Sequence, residues 1–148
     1  MSTGESHLAA EDDRPATALW MLWKRVHEVV RGSVIADVTA EAVVSDSELN
    51  VLVLVDTAGG AVRQNAIAAA TGWDRTRLSH LLTRMETRGY LARRKVAGGV
   101  EVVMAEPGAE VLDASRPPLE AAVRQHFLGK LEPGDEADLR RILGRFLG

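Results

Sequence analysis

The chain has no cysteine in its 148 residues. That excludes disulfides, thiolate metal ligands and thiol redox sensing together. No apolar run approaches the ~18 residues needed to span a bilayer, so no membrane partner is expected. Residues 1–13 have neither a basic n-region nor an apolar h-region, so a secretory signal is not expected and a cytoplasmic location is. Catalytic signatures are missing too: there is no nucleophile elbow, phosphate loop, dinucleotide fingerprint or paired acid/base spacing. His7, His27, His80 and His126 fall on separate elements, without the spacing that sets two metal ligands on one helix face. The expectation is a chain that is not an enzyme and holds no cofactor and no metal.

Net charge is also scarce, and its sign is wrong for a partner rich in phosphate: the whole chain carries −3. The distribution reverses that impression. Between Arg63 and Lys95 stand Arg63, Arg75, Arg77, Arg84, Arg88, Arg93, Arg94 and Lys95, opposed only by Asp74 and Glu86, so this stretch is net +6 and the remainder −9. A basic lobe on an acidic body suits a phosphate-facing surface.

The basic stretch also has the clearest pattern. Gln64 to Ala70 reads as a short Ala-rich helix whose small residues admit a closely crossing neighbour. Thr71-Gly72-Trp73 forms a turn. A second helix begins at Asp74, a good N-cap, and closes at Gly89, a good residue just past a helix end. At 100° per residue, Leu78, Leu81, Leu82 and Met85 fall within about 60° of one line and make its buried stripe. The opposite face holds Thr76, His80, Thr83 and Thr87, flanked by Arg77 and Arg84, and contains no acid. Short hydroxyls permit close approach to a groove, and arginine forks onto guanine O6 and N7 or onto phosphate. Tyr90 to Val103 then reads as a hairpin, with Arg93, Arg94 and Lys95 on the outgoing strand and Gly98-Gly99 at the return. A basic hairpin beside such a helix can lie on the backbone or enter a narrow minor groove. The candidate DNA-binding residues are Gln64, Asn65, Arg75, Thr76, Arg77, Ser79, His80, Thr83, Arg84, Arg93, Arg94 and Lys95.

The flanks are helical. Residues 1–14 read as a flexible tail, with Glu11-Asp12-Asp13 and Pro15 marking a helix start. Apolar residues at three- and four-residue spacing predict a helix over 15–38, wider in its apolar face than one small core needs. Either a partner subunit or a larger core of its own chain would bury it. Ser45-Asp46-Ser47-Glu48 has capping-box spacing and starts a helix to about Thr57; Gly59-Gly60 ends it, and Ala61-Val62-Arg63 is a short edge for the hairpin. Pro107 opens a helix running to about Leu131, and Pro117-Pro118 should kink or split it. Pro133 should start the last helix, with Leu139, Ile142, Leu143 and Phe146 as its stripe. Three amphipathic elements without a common core predict a homodimer. The fold class is therefore mainly α (α+β): a winged helix-turn-helix over 46–104 with a short β-hairpin wing, and dimerisation helices at 15–38 and 107–148.

The run from Trp73 to Leu91 resembles the recognition helix and terminal glycine of the MarR family of winged helix-turn-helix transcriptional regulators. Ser47-Glu48-Leu49 resembles that family's second-helix start. Glu106-Pro107-Gly108 and Leu131-Glu132-Pro133 resemble the entries to its last two helices. The resemblance spans about Ala16 to Phe146. It implies an obligate homodimer on a pseudopalindromic operator in double-stranded DNA and a small-molecule effector pocket between the DNA-binding lobe and the dimerising helices. Two departures stand out. The family's wing commonly carries an Asp-x-Arg near its tip, where this chain has Ala97-Gly98-Gly99. The lack of cysteine argues against the peroxide-sensing branch.

The function expected is sequence-specific DNA binding by a transcriptional repressor, released by a small aromatic effector. Trp20, Trp23 and His27, at helical spacing, could line the effector pocket or simply pack in a core or dimer seam. The alternative function is an architectural DNA-binding protein with little sequence preference, which would need basic surface over much more of the chain.

Overall fold

The computed structural model describes residues 15–40 and 43–148; the tail and its acidic start at Glu11–Asp13 lie outside the described residues. Six helices and a three-stranded antiparallel sheet follow in the order α1 (Ala16–Thr39), α2 (Asp46–Thr57), β1 (Ala61–Arg63), α3 (Gln64–Thr71), α4 (Arg75–Thr87), β2 (Leu91–Val96), β3 (Gly99–Met104), α5 (Glu106–His126) and α6 (Asp135–Leu147). The sheet order is β1-β3-β2.

The core is aliphatic and central to the basic lobe. Leu52 and Val55 of α2, Ile67 of α3, Leu78, Leu82 and Met85 of α4, Val102 of β3 and Leu112 of α5 are almost wholly buried. Each such side chain contributes roughly 1.5–3 kcal/mol of transfer free energy, so α2 to α5 and the sheet are held as one body. The helix ends are specified locally. At α2 the Ser45 hydroxyl accepts from the Glu48 amide while the Glu48 carboxylate accepts from the Ser45 amide, both at 3.2 Å. At the end of α4, Gly89 takes φ +78. This lets its N–H donate to Glu86 O and the Tyr90 N–H donate to Met85 O, both at 3.0 Å, which closes the last turn and turns the chain into β2.

Three sequence expectations need correction. Pro117-Pro118 does not split α5, which is continuous to His126. The prolines remove bonds to the carbonyls of Asp113 and Ala114, and both of those residues are exposed, where solvent can replace the missing amides. The helix stops at His126 rather than near Leu131, and a single 3-10 turn follows at Leu128–Lys130. The last helix begins at Asp135, not Pro133; Gly134 at φ +94 separates them.

The terminal helices are the unburied part of the molecule. On α1, Leu19, Trp20, Met21, Leu22, Trp23, Val26 and Val29 are all exposed, and Val38 is its one buried residue. No residue of α6 is buried, and Phe146 is 82% exposed. Only the second half of α1 is fixed to the body. Asp37 meets His126 Nε2 of α5 at 2.6 Å, and Arg31 donates to Asp46 of α2 at 2.8 Å.

Candidate nucleic-acid interface

Helix α4 is placed by its two ends and one face. The Asp74 carboxylate accepts from the amides of Thr76 and Arg77, both at 3.0 Å, satisfying donors that the first turn leaves free. Gly72, at φ +69, turns the chain between α3 and α4. Trp73 packs on the core beside it, and the Arg77 guanidinium carbon stands 5.7 Å from the Trp73 ring centroid. The expected stripe of Leu78, Leu81, Leu82 and Met85 is buried. That leaves Arg75, Thr76, Arg77, His80, Thr83 and Arg84 exposed on the outward side, with Ser79 half-buried at its margin. Among the described residues, Arg75, Arg77 and Arg84 form no ion pair, whereas Arg31, Arg88 and Arg116 all do. Uncompensated guanidinium groups on one helix face are what a polyanion meets first. On α3, Asn65 is exposed and Gln64 half-buried.

The hairpin separates the three basic residues that adjoin in sequence. Val102 pairs with Arg93, Glu101 with Arg94 and Val100 with Lys95, and side chains alternate between the faces of a strand. Arg93 and Lys95 therefore share the face of buried Val102, and Arg94 lies on the other. Arg93 folds back onto α4. Its Nη2 donates to Thr83 Oγ1 at 2.7 Å and to Glu86 Oε1 at 3.4 Å, and its backbone N–H donates to Glu86 Oε2 at 2.9 Å. That backbone bond is the main reason the Glu86 carboxyl is held below the ordinary carboxylate range; the Arg93 guanidinium adds to it, against a smaller opposing effect of burial. Thr83 is committed as well, since its hydroxyl also donates to Ser79 O at 2.9 Å. Arg94 bonds Glu101 through Nε at 2.7 Å and through Nη2. Of the trio, only Lys95 forms no ion pair among the described residues. Arg93 thus fixes the angle between wing and helix.

Arg63 was not among the candidates, yet the structure brings it to the wing. It ends β1 opposite Glu101, and its guanidinium reaches the hairpin tip: a Cβ added to Gly98 or Gly99 would sit 3.5 or 3.6 Å from Arg63 Nη1. Its sequence signal was an arginine directly before a helix, where a capping side chain is the ordinary choice.

Trp20, Trp23 and His27 lie on the exposed part of α1, away from the two clefts that involve α5. A cleft of about 200 Å³ lies further along, lined by Asp37, Val38, Val43, Val111, Ala114, Ser115 and Pro118. No group of three or more metal-ligating side chains occurs among the described residues, and no helix there is long and apolar enough to cross a membrane.

The arrangement of a capped outward helix, a preceding short helix, a β-hairpin and long flanking helices recurs among solved structures. AbsC from Streptomyces coelicolor, a MarR family transcriptional regulator, superposes with a TM-score of 0.76 at 26% identity, over 88% of this chain and 90% of that one. This is the MarR-family fold. Sco3205, a MarR family regulator of the same organism solved in complex with DNA, gives a TM-score of 0.73 at 22% identity over 91% of both chains. The organohalide-sensing RdhR-CbdbA1625 transcriptional regulator in its 2,4-dichlorophenol-bound form gives 0.72 at 13% identity over 99% of this chain and 87% of that one. Residues 43–104 match a family described as a domain of unknown function, DUF7343, and thus cover the MarR-like lobe from α2 through β3. No curated protein matches the chain.

Proposed function

We propose that this chain is a sequence-specific, DNA-binding transcriptional regulator that works as a homodimer on a pseudopalindromic site. The observation that carries the reading is the outer face of α4, where Arg75, Arg77 and Arg84 stand exposed and unpaired among the described residues beside Thr76 and His80. A solvated helix has no need of such a face. Base edges in a major groove do: arginine reads guanine bidentately, and the short side chains let the helix approach. Lys95 and the exposed Asn65 add contacts to the backbone at the margins, and Arg93 holds the wing at the angle that serves α4. Sco3205, built on the same fold, was solved in complex with DNA, which supports DNA binding by this chain.

The dimer reading rests on the apolar face of α1 together with α6. Seven large apolar side chains exposed along α1, and a terminal α6 with nothing buried, are too much apolar surface for a lone protomer to leave in water. A second copy covers it with its own identical helices. The dimer places two α4 helices on successive major grooves, about 10–10.5 bp apart. As a repressor it would leave its site when a small molecule shifts that spacing. The cleft between α1 and α5 is the better candidate for such an effector than the exposed Trp20, Trp23 and His27.

Selection of bound sequences from a random duplex pool tests the reading. A two-fold symmetric motif with the stated spacing is expected. Recovery of no motif, with equal affinity for all duplexes, would reject it in favour of an architectural DNA-binding protein.

A further inference from the structure

Arg63 stands where local preference is against it. It occupies the N-cap of α3, where serine, threonine, aspartate or asparagine would bond the free amides, and it makes no capping bond. A cation at the positive end of a helix is also electrostatically unfavourable. Residues that break local rules without a structural return concentrate at functional sites, and the return here is a position. From β1 the side chain reaches along the sheet to the tip of the hairpin, where Nη1 lies against Gly98 and Gly99. The tip, Ala97-Gly98-Gly99, carries nothing larger than a methyl group. The nearest carboxylate across the strands, Glu101, is bonded by Arg94, and among the described residues no ion pair engages Arg63. The guanidinium that lies against the tip itself is therefore that of Arg63, beside Lys95 on β2, which is also unpaired among the described residues.

We propose that Arg63 is the DNA-contacting residue of the wing tip, supplied by the strand beside the hairpin instead of by the hairpin itself. It grips the duplex outside the bases faced by α4. A small tip and a long guanidinium-bearing side chain form a slender cationic probe, a shape that fits a phosphate at a groove edge or the floor of a narrow minor groove. The proposal rests on the DNA-binding reading above and adds a residue to it.

The test uses the full chain and the duplexes that the wild type recovers from a random pool. Arg63→Ser removes the guanidinium and installs a capping hydroxyl. The variant is expected to melt at or above the wild-type temperature and yet bind more weakly, with the slope of log affinity against log salt shallower by about 0.9 for each Arg63 lost. Arg63→Lys should keep the slope. If the guanidinium sits in the minor groove, the loss is larger on duplexes with A·T flanks than with G·C flanks; if on phosphate, it is uniform. Either pattern supports the proposal. Arg63→Ser with unchanged affinity and unchanged salt slope overturns it. Failure of the wild type to bind any duplex overturns the DNA-binding reading instead.

Discussion

Replacing Gly108 with alanine sets helix propensity against packing. In an open helix interior alanine is favoured over glycine by about 1 kcal/mol. In the first turn of α5, however, a Cβ at Gly108 would fall 2.0 Å from the Tyr90 carbonyl oxygen, 2.9 Å from its carbon and 3.1 Å from Met104 Sδ. The methionine can swing aside. The carbonyl cannot, because it accepts from the Ala105 N–H at 3.1 Å, and the Tyr90 N–H is bonded in turn to Met85 O. Relief requires the start of α5 to retreat by about 1 Å or more from the wing, and overpacking of this kind costs about 1–3 kcal/mol. An overlap with backbone at 2.0 Å belongs at the upper part of that range, so packing wins: less the propensity gain, the expected net loss is about 1–2 kcal/mol, or roughly 2–8 °C in melting temperature for a chain of this size. Circular dichroism at fixed protein concentration, with heat and urea, measures it. Gly32→Ala in α1, where nothing lies within 4 Å of the added methyl, is the reference and should gain up to about 1 kcal/mol. A Gly108→Ala protein as stable as the wild type would refute the close-approach argument.

Three further outcomes are expected. Arg77→Ala should lose about 1–3 kcal/mol of affinity for the selected duplex and relax preference at one base position, if its contact is bidentate; equal gel-shift titrations for variant and wild type would contradict the recognition role. Glu86→Gln should loosen the wing. Because the folded carboxyl is held below its ordinary value, its stabilising contribution is complete above the unfolded carboxylate range and is lost as pH falls through the folded value. Urea midpoints should therefore differ between wild type and variant at pH ~7 and converge in acid below about pH 4, whereas a gap independent of pH would count against the clamp. Leu22→Glu, on the exposed face of α1, should shift sedimentation velocity toward the monomer; an unchanged boundary would exclude that face from the subunit seam.

Local signals were legible where one element carries the whole pattern. The buried stripe of α4, its Asp74 cap, its Gly89 ending and the capping box of α2 each need only a few neighbouring residues, and each stands as read. The wing was harder, because the role of a strand residue depends on its partner across the sheet. Arg93, Arg94 and Lys95 look equivalent in sequence, yet pairing with β3 gives the first to Glu86 and the second to Glu101. Arg63 was hidden for the same reason, since its reach to Gly98 exists only once β1 pairs with β3. Pro117-Pro118 left a kink or a split open, and the structure excludes the split. Propensity disfavours a helix there, but buried residues hold α5 on both sides of the prolines, and the residues whose carbonyls are released are exposed.

The alternation along β2 also limits how this hairpin can change length. One residue inserted between Leu91 and Arg93 would carry each following side chain to the opposite face. Arg93 would leave Thr83 and Glu86, and Arg94 would turn toward α4. An insertion of two residues would restore the faces but shift every cross-strand pair. Lengthening is harmless only beyond Val96 and Gly99, the last paired residues. A hairpin of this construction can therefore gain or lose reach at its tip, while the strand segment that locks it to α4 tolerates substitution far better than insertion.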